Sequence, residues 1–96
     1  MVTLSDIQQR RADILRIAAK YGADNVRVFG SVVRGAAGPG SDLDILVRFS
    51  KSTSLIDHIA LMQDLEDMLG VKVDVVGEKG LHPLIRDSVL SEVVAL

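Results

Sequence analysis

The sequence predicts a small α/β (α+β) fold, a mixed sheet of three strands or slightly more with helices packed on one face. Three observations lead there. Residues 42–49 and 71–76 place apolar side chains at every second position, the period of a strand covered on one side. Residues 4–21 and 55–69 repeat them at helical spacing. The two patterns alternate along 96 residues without a repeat or a linker, which predicts one domain spanning 1–96.

Each element has its own signals. Ile7, Ile14, Ile17, Ala18 and Tyr21 mark a first helix over 4–21, with Ser5 and Gln8 at capping-box spacing and Gly22 as its stop. Val26, Val28 and Phe29 form a first strand ending at Gly30-Ser31. Four glycines and a proline between Gly30 and Gly40 predict a helical turn and a tight loop. Leu43, Ile45, Val47 and Phe49 make the second strand. Ser54 with Asp57 caps a long helix closed by Gly70, its Leu55, Ile59, Met62, Leu65 and Leu69 read as core. Val71, Val73 and Val75 give the third strand, and Pro83 opens a last helix through Ile85, Val89 and Val93. The helix between the second and third strands suits a right-handed crossover between parallel strands.

Composition narrows the function. Eleven basic against thirteen acidic residues leave a net charge of −2, and there are only three aromatic residues, so direct nucleic-acid binding is not expected. No cysteine means no disulfide, thiolate metal site or thiol catalysis. The first eleven residues are polar and no apolar run approaches the ~20 residues of a membrane span, so a cytoplasmic protein without membrane contact is expected.

Chemistry concentrates at two places. Asp42 and Asp44 are two apart on a strand, so their side chains point the same way, with Cα atoms about 6–7 Å apart. Asp74 occupies the equivalent face of the third strand. If those strands pair, three carboxylates converge, and like charges that close call for a hard divalent cation such as Mg²⁺. Upstream, Gly30-Ser31 ends a strand and opens a helical turn, where backbone N–H groups and a hydroxyl suit a phosphate. Together they describe a nucleoside triphosphate held through its phosphates and its Mg²⁺. Neither the dinucleotide-binding nor the P-loop glycine spacing is present.

Gly30-Ser31-Val32-Val33-Arg34-Gly35 followed by Ser41-Asp42-Leu43-Asp44-Ile45-Leu46-Val47 resembles the G-S-x-x-R-G…S-D-x-D-x-x-V signature of the DNA polymerase β-like nucleotidyltransferases. The similarity is strongest to their minimal nucleotidyltransferase (MNT) members, the MntA-type antitoxins of HEPN/MNT toxin–antitoxin pairs. It continues through residues 65–76 to 80–86. The resemblance implies that Gly30 and Ser31 hold the β- and γ-phosphates of ATP, with Arg34 and Ser41 as further phosphate-side candidates. It implies two Mg²⁺ ions on Asp42, Asp44 and Asp74, with Asp74 nearest the attacking hydroxyl. The implied activity is transfer of AMP to a tyrosine of a HEPN RNase toxin, with release of diphosphate. A non-catalytic antitoxin that acts by binding is the alternative. A small-molecule or RNA nucleotidyltransferase is a third reading, disfavoured because such relatives generally carry a further helical domain.

Other residues read as structural. Arg34 is open between phosphate and an ion pair with a nearby acid. His58 and His82, each without a second ligand nearby, read as surface or cap residues. Lys51, Lys72 and Lys79 are expected to face solvent.

Overall fold

A computed structural model describes residues 2–96. In chain order it forms α1 (Leu4–Gln9), α2 (Arg11–Lys20), β1 (Ala23–Phe29), a 3₁₀ turn (Gly30–Val32) and β2 (Leu43–Phe49). Then come α3 (Leu55–Leu69), β3 (Val73–Gly77), a second 3₁₀ turn (Glu78–Gly80), α4 (Pro83–Glu92) and β4 (Val94–Ala95). The strands lie in the order β3-β2-β1-β4. β2 and β3 are parallel, joined through α3, whereas β1 runs antiparallel to both β2 and β4.

The period-two pattern decides the layers. Leu43, Ile45 and Val47 of β2, Val73 and Val75 of β3, and Val26 and Val28 of β1 point to one face. There they pack against Ile7, Ile14 and Ala18 of the first two helices and Leu61 and Leu65 of α3. Leu46 lies between Ile45 and Val47 and so faces the other way, yet it is fully buried. Its cover is Val89 of α4 with Leu81, flanked by Phe29, Val76 and Val93. This corrects the expectation of helices on one face: α1–α3 take that face, while α4 crosses to the opposite one because Leu46 requires shielding there.

Several boundaries moved. The expected helix over 4–21 breaks at Arg10, and its capping box joins Thr3 to Asp6 rather than Ser5 to Gln8. Ile7 and Ile14 stand seven residues apart, a spacing an unbroken helix also satisfies, so the pattern could not reveal the break. β1 begins at Ala23, with a register shift between Asp24 and Arg27 and Asn25 at φ 49. Asp and Asn are poor strand formers, which hid its first half. α3 has the Ser54–Asp57 capping box and the left-handed Gly70 that its sequence predicts. Its N-terminal end is not core, however, for Leu55 and Ile59, both read as core, are 74% and 43% exposed. β4 was not foreseen; Val93 is already extended, and the chain pairs with β1 instead of continuing α4.

Candidate active site

The acids stand on the face that α4 shares. Asp44 alternates with Leu43 and Ile45, and Asp74 with Val73 and Val75, so burying those apolar residues turns both carboxylates to the other side of the sheet. Asp44 and Asp74 are direct register partners across β2 and β3. On its other flank Asp44 is paired with Phe29, the last residue of β1. Asp42 lies two residues ahead of Asp44, just before β2, and is exposed, as is Asp74; Asp44 is half-buried. The structure thus brings Asp44 beside Asp74, with the exposed Asp42 just ahead of the strand.

The turn after β1 closes on the same carboxylate. Gly30 has φ 80, and a Cβ built on it would lie 2.1 Å from the Asp44 Oδ2 atom. At this positive φ and this close to Asp44, any side chain would strain the turn. Val32 of the turn is buried in the main core, which anchors the turn from below and gives the third residue of the Gly-Ser-Val-Val stretch a packing role. Because Gly30–Val32 is a first helical turn, its amides have no partner within the turn. That of Gly30 donates to Glu92 Oε1 at 3.0 Å. The amides of Ser31 and Val32, with the Ser31 hydroxyl, are the donors left to meet an anion.

Electrostatics set Asp44 apart. Burial raises its pKa above the ordinary carboxyl value, with further upward contributions from the charges of Asp74 and Asp42, a lowering by Arg34 and a lesser rise from Glu92. A cation beside this group would relieve that repulsion. Asp42, Asp44 and Asp74 offer only hard oxygen donors, which fit Mg²⁺. Among the described residues, no three acidic or imidazole side chains are grouped closely enough to hold a metal ion by themselves. The expected convergence of three acids is therefore only partly realised: Asp44 and Asp74 are register partners, and Asp42 lies close enough for its charge to act on Asp44. Such a set matches the usual Mg²⁺ arrangement of one or two carboxylates completed by water and substrate phosphates.

The remaining candidates separate from these. Arg34 pairs with Glu92, its Nη1 donating to Oε1 at 3.1 Å and Oε2 at 3.0 Å. Of the two roles open to it, the ion pair is the one the side chain adopts. Ser41 closes its own loop, accepting from the Gly38 amide at 3.0 Å while its amide donates to the Gly38 carbonyl at 3.0 Å. His82 caps α4, as expected, accepting from the Leu84 amide at 3.1 Å. His58 is neither surface nor cap: it is half-buried against Phe49, its Nε2 2.7 Å from the Val75 carbonyl. Glu92 was missed, and nothing local in the sequence marks an acid at the end of a helix as a partner of residues 58 and 62 positions earlier.

A mixed sheet with a glycine–serine turn packed against a strand carboxylate fits the class of enzymes that transfer nucleotidyl groups without a P-loop. Residues 11–96 match the family described as nucleotidyltransferase domain, and the chain belongs to that family. The protein adenylyltransferase MntA of Thermococcus cleftensis is 41% identical over 95 residues, an alignment spanning 98% of this chain and 96% of that one. A solved structure described as a candidate minimal nucleotidyltransferase superposes with TM-score 0.87 at 47% identity, over 99% of this chain and 97% of the other. A chain from the complex of tri-AMPylated Shewanella oneidensis HEPN toxin with MNT antitoxin superposes with TM-score 0.70 at 20% identity, over 92% of this chain and 69% of that chain. At that identity the likeness is one of fold.

Proposed function

We propose that this chain is an antitoxin that transfers AMP from ATP to a tyrosine of a HEPN-type RNase toxin, with Mg²⁺ required. The observation that carries the reading is Asp44, set beside Asp74 on one flank and packed against the Gly30–Ser31 turn on the other. An anion site and a cation site share one carboxylate there, as a triphosphate with its metal demands. The identity to the Thermococcus cleftensis adenylyltransferase supports AMP as the transferred group.

In this reading Ser31 binds the β- and γ-phosphates through its amide and hydroxyl, and Gly30 lets the turn come close enough to Asp44 for them to bridge both sites. Asp42, Asp44 and Asp74 would hold Mg²⁺ through their carboxylate oxygens. When bound, the metal stabilises negative charge on the phosphates and activates the acceptor hydroxyl. The tyrosine oxygen forms a bond to the α-phosphorus as the bond to the β-phosphate oxygen breaks. Diphosphate leaves with that electron pair, and the phenolic proton passes to Asp74. Asp74 is exposed beside Asp44, placed to meet an incoming side chain.

Label transfer tests the reading. With the partner toxin and Mg²⁺, ATP labelled at the α-phosphate should label the toxin and ATP labelled at the γ-phosphate should not. Labelling from the γ position, or none from either, contradicts it.

A further inference from the structure

Glu92 ends α4, a position where the helix already presents negative partial charge, and no basic residue lies in that last turn. An acid there is locally unfavourable, so its support comes from elsewhere. Its Oε1 accepts from the Gly30 amide at 3.0 Å and from Arg34 Nη1 at 3.1 Å. The side chain is largely buried, 25% exposed, while that of Arg34 is 55% exposed. Glu92 is also rigidly carried. Three residues earlier Val89 packs on Leu46, and immediately afterwards Val94 and Ala95 pair with β1, the Leu96 amide adding a bond to the Val26 carbonyl at 3.0 Å.

Gly30 is consequently held from two sides, by Glu92 at its amide and by Asp44 where its side chain would be. Val32 and Val33 pack on the core and the amides of Val33 and Arg34 return to the Gly30 carbonyl, but the Gly30 amide itself is fixed by Glu92. We propose that Glu92 is a positioning residue, which fixes the Gly30–Ser31 turn against Asp44 through the Gly30 amide so that Ser31 meets the phosphates. The inference rests on the phosphate role proposed for that turn. It also gives Arg34 a place: its guanidinium offsets the Glu92 carboxylate, which would otherwise repel a triphosphate.

Two substitutions separate positioning from general support of α4. Glu92→Ala removes the acceptor, whereas Glu92→Gln keeps an Oε1 able to accept from both Gly30 and Arg34. With the non-hydrolysable analogue AMP-PNP and Mg²⁺, calorimetry on the isolated protein should show affinity about tenfold weaker for Glu92→Ala and within about threefold of wild type for Glu92→Gln. Amide exchange reads the contact without nucleotide: the Gly30 amide should be protected in wild type and Glu92→Gln and unprotected in Glu92→Ala. Wild-type affinity in a folded Glu92→Ala, or Glu92→Gln as weak as Glu92→Ala, overturns the inference alone. Wild type that fails to bind AMP-PNP overturns the nucleotide reading and this inference with it.

Discussion

Asp44 on β2 and Asp74 on β3 are register partners on parallel strands, so two carboxylates rise side by side from one face of the sheet. The half-buried Asp44 bears the cost, its pKa raised by burial first and by the Asp74 charge next. Since the folded value lies above the unfolded one of about 3.9, the folded state binds the proton more tightly. The stability this lends is complete below the unfolded value and lost as pH rises through the folded value. Asp44→Asn removes the penalty: its Tm should exceed that of wild type near pH 7, and the gap should close below about pH 4. Thermal scans across pH check this; equal melting temperatures at pH 7 contradict it.

Mg²⁺ should act on the same group. Added in millimolar excess with AMP-PNP, it should raise the Tm of wild type by binding linkage and leave Asp44→Asn/Asp42→Asn unchanged. Chelation should reverse the rise. An equal rise in both proteins would place the ion elsewhere.

Gly30→Ala should disable the turn. The new Cβ would meet Asp44 Oδ2 at 2.1 Å in a backbone at φ 80. Loss of about 1–3 kcal/mol is expected together with loss of transfer. Gly35→Ala is the control: φ is 70 but no atom lies within 4 Å of its Cβ. It should cost about 1 kcal/mol and leave transfer within about threefold. Denaturant titration and initial rates on both variants separate strain from contact.

Leu46 couples the two faces. Fully buried between β2 and α4, it holds the helix that carries Glu92. Leu46→Ala should destabilise by about 2–5 kcal/mol. Because α4 packs on the sheet largely through Leu46, Leu81 and Val89, exchange protection at Gly30 should fall first. Uniform loss of protection across the chain would show instead that the small cluster is not a separate unit.

The placement of the candidate residues was legible wherever local pattern carries it. Asp42 and Asp44 interrupt an apolar alternation, Asp74 interrupts the next, and the strand period alone puts Asp44 and Asp74 on the face away from the core. The Ser54–Asp57 and Gly70 caps of α3 were equally plain, because capping is a matter of three or four neighbouring residues. What escaped depends on distance. Glu92 meets Gly30 and Arg34 only after β4 returns to β1, and a two-residue strand has too few positions to show a period. The buried Leu46 held the clue to α4 on the second face, since a leucine at an outward position of a strand needs a cover. The break at Arg10 is silent because helical spacing runs through it.

With a toxin as the proposed acceptor, the exposed Asp42 and Asp74 are open for it to cover. Calorimetry should find AMP-PNP with Mg²⁺ binding more tightly to the toxin–antitoxin complex than to this chain alone. Equal affinities would mean that the cleft is already complete.

The most direct measurement is the intact mass of a HEPN-type RNase toxin, the proposed partner, after incubation with ATP and Mg²⁺ and either wild type or Asp42→Asn/Asp44→Asn. Increments of whole AMP units with wild type alone are predicted. An unchanged mass with both proteins, each forming a stable complex with the toxin, would contradict the transferase and leave an antitoxin that acts by binding.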